Sequence, residues 1–479
     1  MTSEKKIKRV GILTLGCDKN TVDNEYVAGS LEDLGYEVVA LEYFNPDEEF
    51  DVIILNTCGF ILDAKKQSID AIAEIAESKR TRANPRKFYV FGCLVQRYPN
   101  EVWKKFPEID GLVGVGQLET LIRYVQEEET PRKDKFYCSR KPIVNLERYM
   151  RRKIITPRSY SFLKIADGCN HRCSFCAIPK IKGPYRSLPM DIILQEGEYL
   201  LNNGVKELNL IAQDITCYGR DLKKGYGLPE LIKELARLKG DFWIRCLYSL
   251  PAGITNKFLQ VVATEPKIVH YLDMPIQHVD KKLLKLMNRP RYNIDIMDLT
   301  RRIRSATPDM VLRTTVILAF PGESYRAFQQ LLETVEQIRF ERLGAFIFSP
   351  EEDTAAMNLP RKVGRLIAER RYHILMETQA EISYEFNKSR IGKEYKALVE
   401  DYDIEKKLWI GRSYAEAPEV DGIIWIHSQQ PLQIGEFCNV KITGAEIYDL
   451  YGECVQEYIS REENKYKCAE TEKNIEIRI

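Results

Sequence analysis

The chain has 479 residues, 44% of them hydrophobic and 29% charged, so it can form about three domains with buried cores and lacks a disordered composition. Its 71 basic and 70 acidic residues give a net charge of +1, which excludes a global attraction to nucleic acid or anionic membranes. No apolar run approaches the roughly 18 residues that span a bilayer, and the short run after residue 9 favours a first strand over a signal peptide, so we expect a soluble, cytoplasmic protein.

The amino-terminal 140 residues alternate short β-rich runs with amphipathic ones, which predicts a parallel-sheet α/β domain over residues 1–140. The predicted strands cover residues 10–15, 52–55 and 88–91, and each is followed within a few residues by a cysteine: Cys17, Cys58 and Cys93. Because the carboxyl ends of parallel strands share one edge of a sheet, these three thiols are expected to meet in space.

A second series of strands and helices follows residues 131–158, which lose periodicity and suit a linker. Strands are predicted at residues 160–165, 208–211, 242–247, 271–274, 312–318 and 345–348. Polar residues again follow the strands, as in barrels that place their chemistry at that end. Six βα units over residues 158–362 predict a partial, TIM-like (βα)6 barrel.

The residue pattern of the carboxyl-terminal part changes from helical to β-rich and then to a charged tail. Residues 363–387 carry charged residues with apolar ones at helical spacing, which predicts one long connecting helix. Residues 388–455 contain short β-rich runs bounded by glycines, which predicts a small antiparallel β-barrel. Residues 456–479 form a highly charged tail.

The twelve cysteines of a chain without an export signal are expected to be reduced, hence ligands or nucleophiles rather than disulfides. Cys169, Cys173 and Cys176 are spaced x3 and x2 on one predicted loop. Three thiolates leave one iron of a cubane cluster open, so that a substrate can bind there. A zinc site is the alternative, but a structural zinc ion needs a fourth ligand. The nearest candidate, His171, is too close in sequence to the three cysteines to complete the tetrahedron easily.

Six further cysteines show no ligand spacing, and we expect them to be small apolar side chains or free thiols. They are Cys138, Cys217, Cys246, Cys438, Cys454 and Cys468. The histidines at 270, 278, 373 and 427 are expected to be structural, because hydrogen transfer to a radical needs no general base.

The 169–176 motif resembles that of the radical S-adenosylmethionine family, whose members have an aromatic residue before the last cysteine, here Phe175. The contexts of Cys17, Cys58 and Cys93 resemble those of the methylthiotransferases within that family. Within these, the ribosomal-protein branch is favoured over the transfer-RNA branch by residues 15–20 (Leu-Gly-Cys-Asp-Lys-Asn), 93–98 (Cys-Leu-Val-Gln-Arg-Tyr), 210–214 (Leu-Ile-Ala-Gln-Asp) and 271–278 (Tyr-Leu-Asp-Met-Pro-Ile-Gln-His). The likeness ends at about residue 455.

The resemblance implies two [4Fe-4S] clusters, a radical-generating one on the 169–176 triplet and a sulfur-donating one on Cys17, Cys58 and Cys93. S-adenosylmethionine would be both radical source and methyl donor, with Phe175 and Gln213 near it. The resemblance also implies a radical SAM barrel, a carboxyl-terminal TRAM-like module, and an electron donor such as a flavodoxin or ferredoxin.

The implied reaction adds sulfur and a methyl group to the β-carbon of an aspartate in small-subunit ribosomal protein number twelve, free or on the ribosome. The stretch 390–454 has 7 basic and 12 acidic residues, a net charge of −5, which opposes binding to phosphates and favours a basic protein partner. Two alternatives remain: a transfer-RNA methylthiotransferase, and a non-catalytic iron-sulfur carrier or sensor.

Overall fold

The computed structural model describes residues 8–127, 130–139, 152–157, 159–290 and 293–457. The predicted tail from residue 458 onward, with Cys468, lies outside these residues. Within them, no helix has both the length and the apolar character that crossing a bilayer requires.

The amino-terminal sheet has six parallel strands in the order β2-β1-β3-β4-β5-β6. The strands are β1 (Arg9–Thr14), β2 (Glu37–Leu41), β3 (Val52–Thr57), β4 (Lys87–Gly92), β5 (Gly111–Val113) and β6 (Phe136–Tyr137). The helices are α1 (Asp18–Asp33), α2 (Leu62–Arg82), α3 (Cys93–Arg97), α4 (Pro99–Lys105) and α5 (Leu118–Gln126). All six residues of β3 are buried, which explains the unbroken apolar run at residues 52–55.

The central unit is an open, parallel six-stranded sheet whose order follows the chain, β7-β10-β11-β12-β13-β14. Its strands are β7 (Tyr160–Lys164), β10 (Glu207–Ile211), β11 (Trp243–Cys246), β12 (Ile268–Asp273), β13 (Val311–Leu318) and β14 (Arg342–Ile347). A short ribbon joins β8 (Ala166–Asp167) to β9 (Arg186–Ser187). The helices are α6 (Ile178–Ile181), α7 (Met190–Asn202), α8 (Leu228–Ala236), α9 (Asn256–Thr264), α10 (Lys281–Leu286), α11 (Ile296–Ala306) and α12 (Tyr325–Ile338). The partial (βα)6 barrel is confirmed.

Helix α13 (Arg365–Lys388) is the long helix expected at 363–387, and it packs on β14. Five further strands close into a barrel in the order β15-β16-β17-β19-β18, with four antiparallel pairs and a parallel β17/β19 pair. They are β15 (Glu394–Asp403), β16 (Leu408–Arg412), β17 (Ile424–His427), β18 (Phe437–Ala445) and β19 (Leu450–Glu457).

Residues 140–151 and 158 of the predicted linker at 131–158 lie outside the described residues, and two of its described parts belong to the domains instead. Strand β6 pairs with β5 and completes the amino-terminal sheet. Arg152 is fully buried, donates to Glu25 of α1 at 2.9 Å, and also pairs with Glu196 of α7. A buried arginine between two carboxylates ties the first sheet to the central barrel. Its charge suggested a solvated segment, because sequence alone does not show the two acids that neutralise it.

Candidate functional site

Three of the sequence-predicted cysteines lie at neighbouring strand ends of the first sheet. Cys17 follows β1, Cys58 follows β3 and Cys93 begins α3 after β4. The strand order reverses at the β1/β3 pair, which is where open α/β sheets bind ligands. Cys17 is exposed, Cys58 half-buried and Cys93 buried. The structure thus brings the amino-terminal triplet together at the expected edge.

Close backbone packing holds this triplet. Gly16 has a φ of +106°, and a Cβ there would lie 2.9 Å from the Cβ of Cys58 and 3.1 Å from its Sγ. The Ser68 hydroxyl accepts from the backbone N–H of Cys58 at 2.9 Å and donates to its carbonyl at 2.9 Å. Burial raises the pKa of Cys93 to about 12, Lys182 opposes this shift, and Cys17 and Cys58 add to it. The thiols therefore interact electrostatically.

The second triplet lies on the loop after β8. The backbone N–H of Cys169 donates to Gly183 at 3.1 Å, and that of Cys176 donates to Cys173 at 3.1 Å. Gly168, at a φ of +77°, approaches so closely that a Cβ would lie 2.2 Å from the Pro184 carbonyl oxygen. This position therefore requires glycine.

The thiols of this loop influence one another's protonation. Burial raises the pKa of Cys169 to about 11 and that of Cys176 to about 12, and Cys173 contributes to both shifts. Arg289 opposes both shifts and donates from Nη1 to the Sγ of Cys173 at 3.5 Å. Arg289 thus counteracts the effect of burial on Cys169 and Cys176 and favours their thiolate forms, the forms that bind metal.

The two triplets lie on packed segments. Helix α6, just after Cys176, contacts α3, which begins at Cys93. Cys93 shares one apolar cluster with Ala177 and Ile181. The loops that carry the two triplets therefore meet where the first sheet joins the barrel.

Buried charges cross the same junction. Lys182 lies 3.4 Å from Asp23 of α1 and 3.8 Å from Asp167, and Lys164 of β7 also pairs with Asp23. Burial alone would lower the pKa of Lys182, but Asp167 and Asp23 raise it well above its ordinary value, with further contributions from Cys93 and Cys17. Lys182 is therefore a fixed cation beside the amino-terminal triplet.

Gln213 and Phe175, the two predicted S-adenosylmethionine contacts, flank the second triplet. Gln213 donates to Asp167 at 3.2 Å, and its buried Oε1 accepts no hydrogen bond from the described residues. Phe175 packs against an apolar cluster that includes Leu283 and Met287. The Gln213 amide oxygen is thus available to a ligand, and the role of both residues stays a prediction.

Several charged and polar partners of these loops were not predicted from the sequence. Lys182, Asp23 and Arg289 carry no local motif, and only the tertiary fold brings them to the triplets. Cys217 was expected to be an isolated thiol, but its Sγ lies 3.1 Å from Asp214 and 3.7 Å from His171. The Asp214-x2-Cys217 spacing was the one available signal, because it puts both side chains on one 3₁₀ turn.

The donor sets fit iron-sulfur clusters. Each triplet supplies three thiols on backbone held by close glycine contacts, and cysteine thiolates are the usual ligands of cubane iron. A single zinc ion requires its ligand atoms close to one another. Among the described residues, the one group of three Cys, His, Asp or Glu ligand atoms all within 4.8 Å of one another is His171, Asp214 and Cys217, not either triplet.

The fold and the motif at 169–176 define a radical S-adenosylmethionine protein. Family models match residues 163–335 as the radical SAM superfamily, 391–455 as a TRAM domain and 9–114 as family UPF0004. Two relatives are named ribosomal protein uS12 methylthiotransferase RimO. That of Acetivibrio thermocellus is 41% identical over 94% of this chain and 99% of its own, and that of Clostridioides difficile is 42% identical over 94% and 99%. The chain belongs to the RimO family of radical SAM methylthiotransferases and is a transferase.

Solved structures support the fold alone. TsrM from Kitasatospora setae, a radical S-adenosylmethionine methyltransferase with cobalamin and a [4Fe-4S] cluster bound, matches with a TM-score of 0.54 at 14% identity, over 73% of this chain and 77% of that one. OxsB, a cobalamin-dependent S-adenosylmethionine radical enzyme, matches with a TM-score of 0.51 at 14% identity, over 79% and 56%. Membership of the radical SAM superfamily implies a [4Fe-4S] cluster and S-adenosylmethionine.

Proposed function

We propose that this enzyme adds a methylthio group to the β-carbon of an aspartate in ribosomal protein uS12, in the cytoplasm. The observation that carries the proposal is the contact between α3 and α6, which joins the loops of the two cysteine triplets in a chain whose family is named for this substrate. Such a junction allows a substrate carbon to be activated at one triplet and to receive sulfur at the other without leaving the site.

Cys169, Cys173 and Cys176 would hold the radical-generating cluster, and Cys17, Cys58 and Cys93 the sulfur-donating one. When bound, the two clusters and S-adenosylmethionine supply a carbon-centred radical that removes hydrogen, a sulfur atom and a methyl group. The chain's own residues position these groups. Arg289 holds Cys173, and Asp167 holds Gln213, which would contact S-adenosylmethionine.

The buried ion pairs of Lys182 fix the relative position of the two loops. Because these cations and carboxylates are buried away from water, they stay paired with one another and hold the two loops in one geometry. An electron donor such as a flavodoxin or ferredoxin would supply the reducing electron. The substrate would be modified either free or on the ribosome.

The charge of the carboxyl-terminal barrel supports a protein substrate over RNA. Of its basic residues, Arg390 and Arg412 are buried in ion pairs with Glu416 and Glu207 and cannot reach phosphates. The exposed acids of the stretch 390–454 outnumber its exposed lysines: they are Glu394, Asp401, Glu405, Glu419, Glu446 and Glu453, against Lys393, Lys406, Lys407 and Lys441. An acidic surface attracts a basic ribosomal protein and repels a nucleic-acid backbone.

The test is mass spectrometry of ribosomal proteins and of digested transfer RNA from cells with and without this gene. We expect uS12 to lose the added mass of one methylthio group at a single aspartate when the gene is absent, with transfer RNA unchanged. Loss of a methylthiolated nucleoside with uS12 unchanged would contradict the proposed substrate.

A further inference from the structure

His171, Asp214 and Cys217 converge beside, but apart from, the cysteine triplets. The Nε2 of His171 lies 2.7 Å from Oδ2 of Asp214, and the Sγ of Cys217 lies 3.1 Å from the same oxygen and 3.7 Å from that nitrogen. All three ligand atoms lie within 4.8 Å of one another. One nitrogen, one oxygen and one sulfur ligand atom therefore lie close enough together to share one ion.

The surrounding structure holds these donors and leaves space in front of them. The other Asp214 oxygen accepts from the backbone N–H of Thr216 at 3.0 Å and from its hydroxyl at 2.6 Å, which fixes the carboxylate. All three side chains line a cavity of about 100 Å³ that Leu250 and Pro290 close on the apolar side. The cavity provides room for an ion and for one further ligand.

We propose that His171, Asp214 and Cys217 form a mononuclear site for a thiophilic divalent cation, zinc above all, with its fourth position open to the cavity. Zinc takes this mixture of nitrogen, oxygen and sulfur ligands, whereas magnesium and calcium avoid thiolate. A neutral imidazole, a carboxylate and a thiolate together balance the two charges of the ion.

The distances between the three ligand atoms are compatible with a zinc ion that displaces protons when it binds. Zinc bond lengths place tetrahedral nitrogen, oxygen and sulfur ligands about 3.3–3.6 Å apart. The Sγ to Nε2 distance of 3.7 Å exceeds this range by only about 0.1 Å. The two shorter distances to Asp214 are hydrogen bonds, and they lengthen by about 0.5–0.7 Å when the ion replaces the Cys217 thiol proton and the neutral His171 ring carries its proton on Nδ1 rather than on Nε2.

An occupied site would connect two functional segments. His171 lies between Cys169 and Cys173, whereas Asp214 and Cys217 belong to the turn after β10 that carries Gln213. The ion would therefore fix the loop of one triplet to the predicted S-adenosylmethionine contact. This role is independent of the substrate of the enzyme.

The test uses full-length, anaerobically purified, cluster-loaded protein equilibrated with zinc chloride and then desalted. We expect about one zinc per chain with iron content unchanged, and zinc X-ray absorption showing one sulfur ligand with nitrogen and oxygen ligands. The Cys217→Ser variant should retain less than about a tenth of this zinc, as expected for a lost ligand. The Cys138→Ser variant, which changes a thiol outside the group, should retain all of it.

Three results would overturn the proposal. The first is equal zinc in wild type and Cys217→Ser. The second is iron that falls as zinc rises, which means exchange at the cluster cysteines. The third is a zinc spectrum with three sulfur ligands, which places the ion in a triplet. The wild-type spectrum decides the question even if the Cys217→Ser variant folds poorly.

Discussion

The Lys182 ammonium group lies 3.4 Å from the Asp23 carboxylate, and this buried pair joins the segment after Cys176 to the helix that begins after Cys17. Asp167 completes the pairing of Lys182 at 3.8 Å. Two loops with distant places in the sequence are thus held together by charge as well as by apolar packing.

The Lys182→Met variant should weaken this junction. The variant leaves Asp167 without its ion-pair partner and Asp23 with Lys164 alone, and breaking a buried pair from one side costs up to about 3–5 kcal/mol. Thermal unfolding of the variant should therefore begin at a lower temperature than that of the wild type. Lys180→Met is the matched control, because Lys180 is exposed and only two residues away. Equal losses in the two variants would contradict a specific role for Lys182.

Gly16→Ala should damage the amino-terminal triplet alone. The new methyl group would meet Cys58 at 2.9 Å, and the φ of +106° disfavours any side chain. We expect the iron content to fall by about half while the 169–176 triplet keeps its cluster. Gly35→Ala is the control, because Gly35 has a φ of +85° with nothing within 4 Å. Full iron in Gly16→Ala would show that the close approach does not matter.

Arg289→Gln should make the radical-generating cluster harder to reduce. The guanidinium donates to Cys173 and favours the more negative, reduced cluster. Losing about 1 kcal/mol of this charge-assisted interaction should lower the reduction potential by roughly 50 mV for a one-electron couple. A redox titration followed by electron paramagnetic resonance measures the shift. Arg289→Lys should recover part of it, and the exposed Arg172→Gln should show none. An unchanged reduction potential in Arg289→Gln would contradict this effect of Arg289 on the cluster.

His278 should make folding stability depend on pH. Burial lowers its pKa from 6.5 to about 4, and its Nδ1 accepts from the backbone N–H of Asp280 at 3.0 Å. Between pH 6.5 and 4 the unfolded chain binds a proton that the folded chain does not. Stability therefore falls as pH falls through this window, by about 3 kcal/mol in total.

Thermal unfolding of the cluster-free protein between pH 7.5 and 4.5 measures this dependence. The His278→Gln variant should have a flatter pH profile than the wild type. His270→Gln, which changes a partly exposed ring paired with Asp309, should keep the wild-type slope. Parallel profiles for the wild type and His278→Gln would contradict the assignment.

Strands and cysteine positions that depend on a local residue pattern could be predicted from the sequence. The barrel strands were predicted within a few residues of their observed bounds, because buried parallel strands are continuous apolar runs. The position of Cys17, Cys58 and Cys93 at one sheet edge followed from their place after strands. Short strands such as β5 and β6 were missed, since two or three residues carry no periodicity.

Long-range charge pairing could not be predicted. Lys182 and Asp23 lie 159 residues apart, and Arg152 and Glu25 lie 127 apart. A charged residue is usually solvated, and only the folded chain shows which carboxylate it meets. The same reason hid the convergence of His171 with Cys217.

Iron and sulfide analysis of anaerobic protein tests the central claim most directly, with wild type, Cys17→Ala and Cys173→Ala measured side by side. Two independent cubane clusters predict that each variant loses about half of the iron and half of the sulfide. Full iron in the Cys17→Ala variant, or complete loss in both variants, would contradict two separate clusters.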